Sequence, residues 1–199
     1  TVFGLTISSN DTAALFAATD NANISNMGIT DSVFNLTDGG NSGSFAGISK
    51  NTTYSKCFSS SRVELGDSTP SSAYLGGFCG SGENNTYSNC FFTGSVGVMA
   101  ESNDSYISKP AENVNWLCGG FEGLANNSNS FNNCYVSSYI DGNSVYDDSA
   151  EKYIQNIGYF VGGESDSANV ALTNCSVDSG SGAPSCRPVG GNSSQTVVA

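Results

Sequence analysis

The sequence predicts an all-β protein, a parallel β-solenoid (β-helix) of about five irregular turns with inserted loops. Three observations predict it. A degenerate motif recurs along most of the 199 residues. Its segments are rich in aromatic and branched residues and bounded by Gly, Asn and Ser, as short strands between turns are. No stretch keeps apolar residues at i, i+3, i+4 and i+7 between good caps, so helices find no support. The whole chain, 1–199, reads as a single domain: an N-terminal strand or cap over 1–13, repeats over 14–181 and a tail over 182–199.

The first element is the alternating apolar stretch Val2-Phe3-Gly4-Leu5-Thr6-Ile7. Four units then carry Phe-x-Gly: Phe45-Ala46-Gly47, Phe78-Cys79-Gly80, Phe121-Glu122-Gly123 and Phe160-Val161-Gly162. Each is followed 12 to 15 residues later by a cysteine: Cys57, Cys90, Cys134 and Cys175. Three residues before those cysteines stand Tyr54, Tyr87, Phe131 and Leu172, and immediately before them Lys56, Asn89, Asn133 and Asn174. Val63, Val96 and Ile140 follow in the first three units, and Ser181 replaces them in the fourth. A degenerate copy precedes these, with Phe16, Ile24, Asn26, Met27 and Val33 in the same order.

A unit of this size, with two or three short strands, cannot bury an apolar face alone but can do so stacked on its neighbours. Strands of successive turns then pair in parallel about 4.8 Å apart. Three interior ladders are expected: Phe45/Phe78/Phe121/Phe160, Tyr54/Tyr87/Phe131/Leu172 and Cys57/Cys90/Cys134/Cys175. The glycine of each Phe-x-Gly is read as a tight corner, and the asparagines as amide ladders at a bend. Extra length near 97–113 and 141–156 marks surface loops, with a helical turn over Ser149–Ile157. The last β-prone stretch is Gln195-Thr196-Val197-Val198-Ala199.

The units resemble GLUG repeats, whose pattern is Gly-Leu/Phe-x-Gly, then Ile-x-Asn-Cys, then Gly-x-Val. The best match is Gly76-Gly77-Phe78-Cys79-Gly80, Tyr87-Ser88-Asn89-Cys90-Phe91 and Gly94-Ser95-Val96. The resemblance spans about residues 14–181. It implies a β-solenoid of the kind found in bacterial adhesins, IgA-protease-like surface proteins and other secreted proteins. That motif is structural, so it carries no catalytic residue with it.

Composition narrows function. Six basic and 18 acidic residues give a net charge of −12, which repels nucleic acid. No apolar run is long enough to span a bilayer. With no histidine, a Ser-His-Asp triad, a Cys-His pair and histidine-ligated zinc are excluded. The start Thr1-Val2-Phe3-Gly4 reads as a mature or excised N-terminus. Few lysines and many Asn, Ser and Thr fit an extracellular or cell-surface setting. Glycosylation candidates are Asn10, Asn23, Asn35, Asn51, Asn84, Asn103, Asn126 and Asn192, each opening Asn-X-Ser/Thr. Asn174 also opens one, but in a strand, where it is the poorest acceptor.

Seven cysteines suit an oxidising compartment. The ladder cysteines read as core residues. The alternative is disulfides within single turns, Cys79–Cys90, Cys118–Cys134 and Cys175–Cys186, leaving Cys57 free. Carboxylates are scattered through loops. Calcium is the alternative use for their oxygens, with Glu164-Ser165-Asp166 and Asp147-Asp148 the best candidates and no cofactor otherwise expected. Trp116 with Tyr74, Tyr106, Tyr139 and Tyr153 offers sugar-stacking faces, though core packing is the commoner role. The expectation is a non-enzymatic structural or adhesive protein, a filament or appendage subunit that self-associates through its ends. The alternative is a carbohydrate-binding or carbohydrate-processing β-helix.

Overall fold

The computed structural model describes residues 1–66, 70–98, 115–140, 144–147, 152–155, 157–178 and 187–190. They form β-strands, turns and bends, and no helix occurs among them. The chain is all-β with parallel sheets, as the sequence predicts.

The repeating unit holds five short strands, not two or three. The first layer comprises β1 (Val2–Phe3), β2 (Thr6–Ser9), β3 (Thr12–Ala13), β4 (Phe16–Asp20) and β5 (Asn23–Ser25). The second comprises β6 (Gly28–Thr30), β7 (Val33–Leu36), β8 (Gly40–Gly43), β9 (Ala46–Lys50) and β10 (Thr53–Ser55). The third comprises β11 (Phe58–Ser59), β12 (Arg62–Leu65), β13 (Ser72–Gly76), β14 (Cys79–Glu83) and β15 (Thr86–Ser88). The fourth comprises β16 (Phe91–Phe92), β17 (Ser95–Val98), β18 (Asn115–Gly119), β19 (Glu122–Asn126) and β20 (Ser128–Asn132). Then come β21 (Tyr135–Val136), β22 (Tyr139–Ile140), the hairpin β23 (Ser144–Asp147) and β24 (Lys152–Gln155), and the long β25 (Ile157–Glu164). The chain continues through β26 (Asn169–Thr173), β27 (Ser176–Val177) and β28 (Arg187–Val189).

Strands of like position pair in parallel, so each sheet steps through the sequence by whole units. The orders are β1-β6-β11-β16-β21-β27, β2-β7-β12-β17-β22 and β5-β10-β15-β20-β26. A ten-stranded sheet holds the remaining two rows, which meet at β25. Residues 1–13, read as a strand or cap, supply β1–β3, which pair in the same rows as later layers. The hairpin β23–β24 pairs antiparallel within the expected insertion at 141–156. A strand therefore occupies Lys152–Gln155 where a helical turn was expected; Ser149–Glu151 and Asn156 lie outside the described residues. Tyr153 and Ile154 are an aromatic and a β-branched residue, types that suit an extended hairpin arm better than a short uncapped helix.

The expected ladders form. Ring centroids lie 4.7 Å apart for Phe45–Phe78, 4.6 Å for Phe78–Phe121 and 5.4 Å for Phe121–Phe160, all stacked. Tyr54–Tyr87 and Tyr87–Phe131 stack at 5.0 and 4.7 Å, and Phe131 is in register with Leu172. The two columns meet edge to face, as at Phe121–Tyr87, 5.3 Å, an arrangement that the ring quadrupole favours over face-to-face sandwiches. Val63, Val96 and Ile140 share a third column.

Register corrects the degenerate first copy by one residue. Phe16 pairs with Ala46, which places Leu15 opposite Phe45; Phe34, not Val33, pairs with Val63. Phe16 is 40 % exposed as a result. A one-residue slip moves every side chain to the other face, so pairing decides which apolar residue enters the core.

Corners divide the labour between two residue types. The bends are made by non-glycine residues with φ near +50°: Asn21, Asn51, Asn84 and Asn127 before the Tyr/Phe strands, and Asn26, Lys56, Asn89, Asn133 and Asn174 after them. Asn tolerates this left-handed region because its short polar side chain bonds locally. The expected amide stacking is present: Asn133 donates to Asn89 Oδ1 at 3.5 Å and Asn84 to Asn51 Oδ1 at 3.3 Å. The Phe-x-Gly glycines, by contrast, do not have positive φ. They are small because backbones converge. A Cβ on Gly80 would lie 2.6 Å from the Ser42 nitrogen, and one on Gly123 2.5 Å from that of Leu75.

Candidate functional site

Three features stand out from the stacked core: an open end, a surface column of polar groups and a buried carboxyl.

The open end is the first layer. Among the described residues each of β1–β5 pairs on one side only, with the second layer. Phe3 is 75 % exposed, and Val2, Leu5, Ile7, Leu15, Ile24 and Met27 are only partly covered by the core they pack against. Unpaired strand edges flanked by apolar side chains are a template for further strands.

The surface column runs along the ends of β4, β9, β14 and β19. Asp20, Lys50, Glu83 and Asn126 lie in register. Lys50 Nζ is 2.9 Å from Glu83 Oε2. Asn51 donates to Asp20 Oδ1 at 3.1 Å and Asn127 to Glu83 Oε1 at 2.9 Å. The hydrogen bond from Lys50 holds the Glu83 carboxyl below its ordinary range, and the same bond raises Lys50.

The candidate acceptors spread over these surfaces. Asn10 and Asn23 are exposed in the first layer, and Asn174 is exposed at a corner rather than inside a strand. Asn51 and Asn84 are exposed, but their amide nitrogens bridge layers through the bonds above. Asn126 donates to Ser81 Oγ at 3.1 Å, and Asn35 is half-buried within β7. Asn103 and Asn192 lie outside the described residues. The sequons at Asn51 and Asn84 share one structural cause: a corner Asn is followed two residues on by the Thr that opens β10 or β15.

The cysteines differ from the paired expectation. Cys57, Cys79, Cys90, Cys134 and Cys175 are free thiols, so neither Cys79–Cys90 nor Cys118–Cys134 forms; Cys186 lies outside the described residues. The members of each pair serve different rows. Cys79 sits in β14, 3.2 Å from Tyr87 Oη, whereas Cys90 follows β15 and donates to Tyr54 O at 3.5 Å. Cys118 pairs in β18 with Leu75 and Ile157, while Cys134 donates to Asn132 O at 3.4 Å. Cys57, Cys90, Cys134 and Cys175 form the expected column, each thiol in hydrogen-bonding contact with the next.

The buried carboxyl is Glu122, with no exposed surface. It occupies the x of Phe-x-Gly, in register with Cys79 and Val161. Its carboxyl fills the space left by Gly82, whose added Cβ would lie 2.1 Å from Oε1. Tyr87 O–H donates to Oε1 at 2.8 Å and Asn85 Nδ2 at 3.3 Å, while Oε2 has no partner. The network continues toward the first layer. Asn85 Oδ1 accepts from Ser49 Oγ at 3.1 Å, Ser49 and Tyr54 hydroxyls lie 2.9 Å apart, and Thr19 donates to Ser49 at 3.0 Å. Burial pushes the Glu122 carboxyl up to about 7, against the pull of its bonds from Tyr87 and Asn85. Burial likewise raises Cys79 and Tyr87, and the nearby Glu122 adds to both. The sequence signal was available: Ala46, Cys79 and Val161 are small or apolar at this position, and Glu122 is neither.

Trp116 is a core residue, 1 % exposed, with its Nε1 donating to Pro70 O at 2.8 Å. That removes it as a sugar-stacking face. Tyr139 is exposed and Tyr74 half-buried; Tyr106 and the side chain of Tyr153 are outside the description. Among the described residues no group of three or more Cys, Asp or Glu is placed to hold a metal ion. Of the calcium candidates, Glu164 ends β25 and Asp166 lies in the turn that follows, Asp147 ends β23, and Asp148 is outside the described residues. No helix among the described residues is long and apolar enough to cross a membrane.

No family model, curated protein or solved structure matches this chain.

Proposed function

We propose that this chain is a non-enzymatic structural or adhesive protein of the cell surface or extracellular space. In this reading it is a β-solenoid of about five irregular turns that assembles with further copies through its ends. The observation that carries the reading is the first layer. Among the described residues five strand edges of this layer have no pairing partner, and apolar side chains in the register of the core columns lie beside them. A contact joining the end of one stack to the start of another is heterologous and does not close, so it propagates into a filament. The GLUG-like motif, the acidic and lysine-poor composition and the exposed acceptors Asn10, Asn23 and Asn174 support an extracellular setting, with glycans on the flanks of the stack.

The test is electron microscopy and light scattering of the purified chain. The parent protein forms linear polymers. Ile24→Lys, which places a charge on the open face, gives monomers with an unchanged circular dichroism spectrum. Deleting residues 193–199 separates strand donation by the tail from stacking of whole layers. A parent chain that stays monomeric at every concentration refutes assembly through the ends. Intact-mass measurement of material from its native source reads the glycans.

A further inference from the structure

The thiol column has a chemistry that stacking alone does not need. Cysteine is only one of several apolar residues that fit such a column; Met27 takes the place in the first layer, where Phe58 N donates to its carbonyl at 3.0 Å. Four consecutive layers nevertheless carry a thiol at the same corner, directly after a left-handed Lys or Asn. Corners are held by the strands on both sides. Asn132 pairs with Thr173 before the corner, and Tyr135 pairs with Ser176 after it. Cys134 and Cys175 therefore face each other across one parallel strand spacing, about 4.8 Å between backbones. That falls within the roughly 4.4–6.8 Å Cα separation of disulfides.

The column is also polarised. Cys57, Cys90 and Cys134 are buried, at no more than 1 % exposed. Cys175, in the last layer, is partly open to solvent, and its neighbours Asn174 and Ser176 are exposed. Its thiol donates to Phe131 O at 3.3 Å and Thr173 O at 3.4 Å and touches Cys134.

We propose that Cys134 and Cys175 form a redox-active dithiol site that reacts with low-molecular-weight disulfides, with Cys175 the attacking and Cys134 the resolving thiol. The Cys175 thiolate attacks one sulfur of the small disulfide. The S–S bond breaks, and one small thiolate leaves with the electron pair and takes up a proton. Cys134, on losing its proton, attacks the Cys175 sulfur, expels the second small thiol and closes the Cys134–Cys175 bond. Two protein thiols are oxidised and one small disulfide is reduced to two thiols. The contact with Cys134 draws the Cys175 thiol below its ordinary range, which favours its thiolate as the attacking group. The product is a covalent staple between the fourth thiol-bearing layer and the one beneath it.

The experiment uses the full chain with cystine as the small disulfide, quenched in acid and mapped as unreduced peptides. The parent loses two thiols per chain and yields a peptide linking Cys134 to Cys175. Cys134→Ser stops at the mixed disulfide on Cys175, and Cys175→Ser keeps its full thiol titre. Brief alkylation of the untreated parent labels Cys175 several-fold faster than Cys57, Cys90 or Cys134, a readout that needs no variant. A Cys175–Cys186 link, equal alkylation of the four column cysteines, or oxidation of Cys175→Ser at the parent's rate each overturns the proposal.

Discussion

Replacing Glu122 by Gln tests the buried carboxyl directly. In the folded chain burial holds this carboxyl at about 7, whereas an unfolded glutamate titrates near ~4.3. A folded-state value above the unfolded one means that the native state binds the extra proton between those limits. Stability is therefore greatest below about 4.3, falls as pH rises toward 7, and levels off above it. The difference of roughly 2.7 units at about 1.36 kcal/mol each gives a loss of about 4 kcal/mol. Glu122→Gln keeps the shape and the Tyr87 and Asn85 bonds to Oε1 and cannot ionise. The variant matches the parent near pH 4 and is more stable by about 4 kcal/mol at pH 8. Glu83 titrates in the opposite sense: its depressed carboxyl contributes above about 4.3 and that contribution is lost on acidification. Because both proteins share Glu83, the difference between their urea-denaturation curves from pH 4 to 8 isolates Glu122. Parallel profiles across that range would refute the reasoning.

Gly82→Ala drives a methyl into the Glu122 carboxyl; it destabilises by about 1–3 kcal/mol, and Glu122→Ala in the same chain recovers part of the loss, a coupling read by a double-mutant cycle in urea. Phe121→Ala empties a site stacked on Phe78 and Phe160 and edged by Tyr87 and Phe131, costing about 3–5 kcal/mol by chemical denaturation. Asn89→Val forces a branched residue to φ 54° and costs about 1–3 kcal/mol, whereas Asn89→Gly is better tolerated by the same assay. Lys50→Glu places like charges beside Glu83 and Asp20, lowering the melting temperature at low salt, with the deficit shrinking as salt screens the column.

Much of the core was legible because each ladder is written in the sequence as a repeated residue at a repeated place. Phe45, Phe78, Phe121 and Phe160 announce one column, and Tyr54, Tyr87 and Phe131 another; stacking needs like shapes, so the code is direct. Where the motif decays, the code fails. Phe16 looks like the next phenylalanine, but hydrogen bonding sets Leu15 in the column and turns Phe16 outward. Spacing alone likewise paired Cys79 with Cys90, though they belong to different rows. The Glu122 site was half legible: its residue type is wrong for its column, but the matching vacancy at Gly82 lies 40 residues away in sequence and one layer away in space.

By itself, then, the sequence determined the periodic identity of the stacked residues, the all-β character and the charge, since these depend on composition and local order. Tertiary structure alone decided register, the number of strands in each unit, and which polar groups meet. The physical reason is that backbone pairing between layers has a period of two along each strand and no sequence signature of its own, so a single residue of slip exchanges core for surface.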